Sequence, residues 1–283
     1  MTVITRGTRH GPTDTGAECK PEYATIVRLD ERRRIRTILA TIAAAALVLG
    51  CCAYVGLLDA RRLGEGAPAL LSLLGEMWPP NFSRAGSWVL PLLDTLAMSV
   101  AGTAIAIALS FPLGLAAARN TTPHPVVYHL ARAILNSFRA VPELIMGIVF
   151  VAAVGFGALP GVLALGLHSV GMVGKFYAEA IEHVSPAPIE AARAVGARPV
   201  QVIVHGVLPQ VLPQLADVSI YRWEYNFRAS TVLGIVGAGG IGFELIASLR
   251  TLQYREVAAI MLIILATVTV VDAASGWLRR RFS

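Results

Sequence analysis

Four side chains able to carry or stabilise charge stand at helical spacing inside a stretch otherwise apolar enough for lipid. Asp217, Tyr221, Glu224 and Arg228 fall at i, i+4, i+7 and i+11, one face of a helix running from about Val211 to Val236. Arg222 and Asn226 make an adjacent polar strip, and Ser230 continues the polar set. An ionised group at mid-bilayer costs about 2.5 to 3.5 kcal/mol, so these strips must face protein or water. Two chemistries fit. Guanidinium holds tetrahedral oxyanions through paired donors, so Arg222 or Arg228 could attract an anion on a translocation path or at a gate. Alternatively, Glu224 and Arg228 pair at i,i+4 and lower each other's desolvation, making the face an ion-pair network between helices.

Other chemistries find little support. Gly237-Ala238-Gly239-Gly240-Ile241-Gly242 satisfies G-x-G-x-x-G by letter. A dinucleotide site needs that motif inside a strand-loop-helix unit. Here a polar span precedes it and another span follows, so Gly237, Gly239, Gly240 and Gly242 are expected to form a flexible outer turn, re-entering with Phe243 to Leu252. No G-x-x-x-x-G-K-[ST] phosphate loop occurs, so ATP would have to be bound by a partner. H-E-x-x-H and G-x-S-x-G are absent too. Cys19, Cys51 and Cys52 have no metal or disulfide spacing. No catalytic residue, metal site or cofactor is expected. Lys175 and Glu179 stand at i,i+4 with Glu182 a turn further, a structural pair near a span end. His168 reads as a hydrogen-bonded core histidine, and Glu143 as a residue of the inner interface.

The elements that must position these groups are membrane spans. Only 15% of the 283 residues are charged and 55% are hydrophobic, with mean hydropathy +0.63. A soluble domain carries about 25% charged residues. The fold class is therefore all-α integral membrane protein, with six transmembrane helices. Residues 1–36 are polar, rich in Arg, and expected to be a disordered cytoplasmic tail. Thr37 to Leu58 is free of charge and long enough to cross the hydrocarbon as an uncleaved anchor. Asp59 to Val89 reads as an outer loop. Pro91 to Ala118 is the second span, and Arg119 to Arg139 an amphipathic helix along the inner surface. Val141 to Leu159 and Val162 to Ile181 are the third and fourth spans. Val211 to Val236 is the fifth and Val257 to Trp277 the sixth.

Six spans put both termini on one side. With that side inside, sixteen Lys or Arg residues lie inside and five outside, as the positive-inside rule requires. The net charge of +6 is thus orientation rather than nucleic-acid binding; no aromatic-basic interleaving is present. This places Ser185 to Pro213 in the cytoplasm. There Pro186 and Pro188 fall in a first helical turn behind Ser185, Gly196 closes that helix, Pro199 opens a second and Pro209 ends it.

Within this connector, Glu190-Ala191-Ala192, then Gly196, then Leu208-Pro209 keep the spacing of the EAA loop of ABC importer permeases, which the segment resembles. One position departs: Gly206 replaces a hydrophobe, in the second helix of the loop. Arg139-Ala140-Val141-Pro142-Glu143, His168-Ser169-Val170-Gly171, Gly206-Val207-Leu208-Pro209-Gln210, Tyr221-Arg222 and Arg228-Ala229-Ser230-Thr231-Val232-Leu233-Gly234 look like the phosphonate-type permeases, and Gly206 fits that subgroup. The likeness covers roughly Leu96 to Phe282.

The resemblance implies the type I permease fold, in residues 37–283, with a coupling loop at about 185–209. It implies a homodimer in the bacterial inner membrane, two ATP-binding cassette subunits and an extracytoplasmic phosphonate-binding protein. The cargo would be a phosphonate or a related oxyanion such as phosphite. On this view the strip from Asp217 to Ser230 lines the path or the homodimer seam. A permease fed by a binding protein needs no tight site of its own. A methionine permease shares the EAA loop, and a proton-coupled secondary transporter or channel would use the span-five charges differently.

Overall fold

The computed structural model describes residues 20–282, and for residues 20–32, Leu63 and Phe282 the backbone alone. All regular structure among them is helical. The chain divides into two compact units, Met1–Ser72 and Leu73–Ser283. Residues 1–19 of the expected disordered tail lie outside the described residues. From Lys20 the chain is helical, as α1 (Lys20–Tyr54), so the expectation of disorder up to residue 36 is corrected. Residues 22–49 contain neither Pro nor Gly, and Arg, Glu, Leu and Ala are good helix formers, so the apolar helix extends into the basic segment. Within it, Arg33–Tyr54 is long and apolar enough to cross a membrane. The expected outer loop holds a second correction, helix α2 (Ala60–Glu76). The Asp59 carboxylate accepts from the amides of Arg61 and Arg62 at 3.1 and 3.3 Å and so starts it.

The second unit is built on α3 (Val89–Ala117) and α6 (Ala158–Glu182), packed along their lengths. Small residues allow it: a Cβ on Gly102 would lie 2.9 Å from that of Leu165, and one on Gly114 equally close to that of Tyr177. Ser110 adds a hydrogen bond to the Val170 carbonyl at 3.1 Å. Between these helices in sequence come α4 (Pro125–Ala140) and α5 (Glu143–Val154), bent by 85°. Val141 precedes Pro142 and is extended, φ −94° and ψ 120°, which stops α4.

This revises the third span. At 12 residues α5 is about 18 Å long, short of a hydrocarbon core about 30 Å thick. Nor does α4 run only along a surface. It follows the second half of α6, with Arg132 at Glu182, Leu135 at Gly174 and Arg139 at Gly171. Only together, as a bent pair, do α4 and α5 reach the length and apolar character of a span, and the helix assigned to the inner surface is one member of that pair.

The chain continues through α7 (Pro186–Ala194), α8 (Pro199–Val202), α9 (Leu208–Leu233), α10 (Gly240–Arg250) and α11 (Tyr254–Phe282). Four helical segments can cross a membrane by length and composition, in α1, α3, α6 and α11. Counting the bent pairs α4–α5 and Pro199–Val236 with α10 gives six.

Candidate functional site: connector and polar core

In the connector, Gly196 takes φ +81° after α7 and turns the chain, as a residue without Cβ can. Arg198 caps α8 with its amide on the Gln201 side chain at 2.8 Å. Pro209, expected to end the second helix, instead lies in the first turn of α9, where a missing amide proton is tolerated. A π-type turn, Ile203–Val207, joins α8 to α9, so the second connector helix runs directly into the polar span.

Gly206 is buried in that turn against α7, with a Cβ built there 3.4 Å from the Ile189 Cα. A methyl there would already touch Ile189 and the Pro188 carbonyl, so a larger hydrophobe would have to displace α7, which suits Gly at this departure from the general motif. Glu190 and Ala191 face out, Ala192 is half-buried, and Val195 and Val200 are 84% and 71% exposed at the tip. Leu208 packs under the connector, and Ile189, Val202 and Val207 are buried in the core of α3, α4 and α6.

The two polar strips of α9 meet different partners. Arg222 and Asn226 turn into the protein. Arg222, 5% exposed, donates through Nε to Ser169 Oγ at 2.7 Å. Ser169 donates to Asn226 Oδ1 at 3.0 Å, and Asn226 Nδ2 to Thr103 Oγ1 at 2.9 Å, tying α9 to α6 and α3. Ser230 donates to the Phe227 and Thr95 carbonyls at 2.7 and 3.3 Å and is fully buried, a packing residue of α3 and α9.

The face bearing Asp217, Tyr221, Glu224 and Arg228 packs on α11 of the same chain. Glu224 pairs with Arg228 and accepts from Ser275 Oγ at 2.9 Å and Arg279 Nη2 at 3.1 Å. Arg228 also lies 3.7 Å from Asp272, and Arg279 Nε lies 3.6 Å from Asp217. The Arg279 guanidinium sits 5.4 Å over the Tyr221 ring. Geometrically this is the ion-pair network, and it contains two residues missed in the sequence. Asp272 inside an apolar run was the available signal; Arg279 was hidden in the terminal arginine cluster.

The glycine turn is packed rather than loose. Gly237, Ala238, Gly240 and Gly242 are buried and Gly239 is half-buried. Gly237 and Gly239 take φ +95° and +77°, and the Ile241 amide donates to Thr95 Oγ1 at 2.9 Å. A Cβ on Gly242 would overlap the Thr231 carbonyl oxygen, so α10 crosses the end of α9 at backbone contact.

Glu143 is also relocated. Its Oε1 accepts from the Tyr225 hydroxyl at 3.3 Å and its Oε2 lies 4.0 Å from His168 Nε2. Tyr225 is 17 residues into α9, about 26 Å from its start, so Glu143 belongs to the middle of the bundle. The bend between α4 and α5 carries it there. His168 is hydrogen-bonded as expected, through Nδ1 to the Val141 carbonyl at 3.1 Å. Lys175 and Glu179 pair at 3.5 Å. Glu182 instead takes Arg132 Nη2 at 3.0 Å and the Arg119 amide at 2.9 Å, holding the connector end of α6 to α3 and α4. Among the described residues, no three His, Cys, Asp or Glu side chains gather as metal ligands would.

Comparison with known proteins agrees with this architecture. Over 236 residues, 83% of this chain and 86% of the relative, the sequence is 70% identical to the phosphite transport system permease protein PtxC of Stutzerimonas stutzeri. It is 40% identical over 253 residues, 89% of each chain, to the putative phosphite transport system permease protein HtxC of the same organism. The solved structure of the inward-facing MetNI methionine ABC transporter superposes on 71% of this chain and 99% of its own, with TM-score 0.61 at 24% identity, a likeness of fold. Residues 110–283 match the binding-protein-dependent transport system inner membrane component, and the chain belongs to that family of ABC importer permeases.

Proposed function

We propose that this chain is the membrane-spanning permease of an ATP-driven importer for phosphorus oxyanions, phosphite foremost. The observation that carries the reading is the 70% identity to a phosphite permease over most of both chains. The chain would have no ATPase site of its own, and energy would enter through the connector. Exposed Glu190, Val195 and Val200 offer a cytoplasmic ATPase a charged and apolar tip. Because α8 continues into α9, a displacement of the tip would move the helix that carries Arg222 and Asn226. Two copies of the chain, two ATPase subunits and an extracytoplasmic binding protein make up the proposed assembly, with both termini cytoplasmic. Binding-protein delivery outside and ATPase closure inside would rock the spans between two accessible states.

The test is uptake into proteoliposomes holding the permease, its ATPase and its binding protein. Phosphite should accumulate with ATP and not with a proton gradient alone, and excess methionine should not compete. Uptake driven by the gradient without ATP would replace this reading with a secondary transporter.

A further inference from the structure

Near the break between α4 and α5, one guanidinium nitrogen of Arg222 and one carboxylate oxygen of Glu143 are each buried without a hydrogen-bond partner. Arg222 spends Nε on Ser169, but its Nη2 is buried without a hydrogen-bond partner. Its guanidinium stacks 4.3 Å from the Tyr225 ring centre, and Tyr225 donates to Glu143. Glu143 Oε2 is buried and also lacks a hydrogen bond. A buried polar group left so incurs about 1–3 kcal/mol, more when charged. Glu143 is the first residue of the 12-residue helix α5, whose opening amides lack intrahelical acceptors and favour a negative charge.

His168 supplies the chemical discrimination. Its Nδ1 faces the Val141 carbonyl, which can only accept, so Nδ1 carries the proton. In the neutral ring Nε2 is then an acceptor facing the Glu143 carboxylate, itself an acceptor. Two acceptors make no hydrogen bond, and these atoms stand 4.0 Å apart. A group suited to this place would offer oxygens to Arg222 Nη2 and the Tyr225 hydroxyl, and one O–H to His168 Nε2.

We propose that this side-chain cluster is a transit site for a tetrahedral oxyanion that keeps one hydroxyl, and that Glu143 is its built-in occupant, displaced when the break opens. Monoprotonated phosphite meets the description; sulfate has the shape and no proton to give. Exchange of one anion for another leaves the charge beside Arg222 constant, which lowers the cost of passing an anion through the bundle. The proposal rests on the oxyanion-permease reading above and adds where the cargo is held.

The experiment is titration of full-length permease in lipid nanodiscs with inorganic phosphite, and separately with sulfate, without the binding protein. Glu143→Gln, nearly isosteric, should bind phosphite at least tenfold more tightly than the parent chain, and sulfate no better than the parent does. Adding Tyr225→Phe to E143Q should remove most of that gain. Equal phosphite affinity in E143Q and parent would overturn the proposal, as would sulfate bound as tightly as phosphite. Should E143Q not fold, Tyr225→Phe alone decides through ATP-driven uptake: KM for phosphite should rise severalfold, and an unchanged KM overturns the site. If the parent complex imports no phosphite, the importer reading fails instead; if it does and the variants behave like the parent, only the transit site fails.

Discussion

Gln210 holds both backbone polar groups of Ser185: its Oε1 accepts from the Ser185 amide at 3.0 Å and its Nε2 donates to the Ser185 carbonyl at 3.4 Å. The same Nε2 also donates to the Gly206 carbonyl at 2.6 Å. One side chain in the first turn of α9 thus ties down the residue before α7 and the π-type turn after α8. The connector is closed on itself across 25 residues, so its tip cannot swing without carrying the start of α9.

Replacing this clamp should separate ATP hydrolysis from transport. Each of these bonds contributes about 0.5–1.5 kcal/mol net, enough for Gln210→Ala to loosen the connector without unfolding the bundle. In proteoliposomes, phosphite imported per ATP hydrolysed should fall several-fold while hydrolysis continues. An unchanged ratio would mean that force reaches α9 by another route.

Gly206 sets the spacing of α7 over the turn. A single methyl added at this position would meet Ile189 at ordinary contact distance, so Gly206→Ala should transport within about twofold of the parent. Gly206→Leu must push α7 outward and should cost about 1–3 kcal/mol and most of the uptake. Membrane abundance, measured alongside, separates misfolding from lost coupling; full uptake in G206L would contradict the packing.

The polar helix α9, the pairing of Lys175 with Glu179, the connector and its glycine turn were legible in the sequence because each depends on neighbours in the chain. What was not legible depends on tertiary placement. Val141-Pro142 announces a break, but only packing on α6 makes α4 and α5 a bent pair and carries Glu143 inward. Pro209 could stop one helix or start another; the π-type turn before it decided for the start. The charges of α9 left two roles open, and the carboxylate and guanidinium of α11 divide them: Glu224 faces α11 while Arg222 faces α6.

At the far end of α9, Gly242→Ala tests backbone contact. The added methyl would overlap the Thr231 carbonyl, and neither backbone can yield without separating α10 from α9. A loss of about 3 kcal/mol or more is expected, read as a lowered thermal midpoint and poor accumulation in the membrane. Gly86→Ala, whose Cβ meets nothing within 4 Å, is the control and should match the parent.

Glu224 decides whether the charged face of α9 is a fastening or a path. Its side chain is 16% exposed and serves Arg228, Arg279 and Ser275, whereas Arg228 is 49% exposed. Glu224→Gln leaves two guanidinium groups sharing a neutral amide, so stability should drop by about 1.5–3 kcal/mol, the range for hydrogen bonds to charged groups. Arg228→Ala loses a solvated pair and should cost less than about 1 kcal/mol. Denaturant unfolding in detergent measures both. If the face is a fastening and the proposed transit site is right, uptake per folded molecule stays near the parent level in both variants, because the oxyanion would pass on the Arg222 side of the helix. A variant that folds with parent stability and yet loses uptake would return Glu224 or Arg228 to the translocation path.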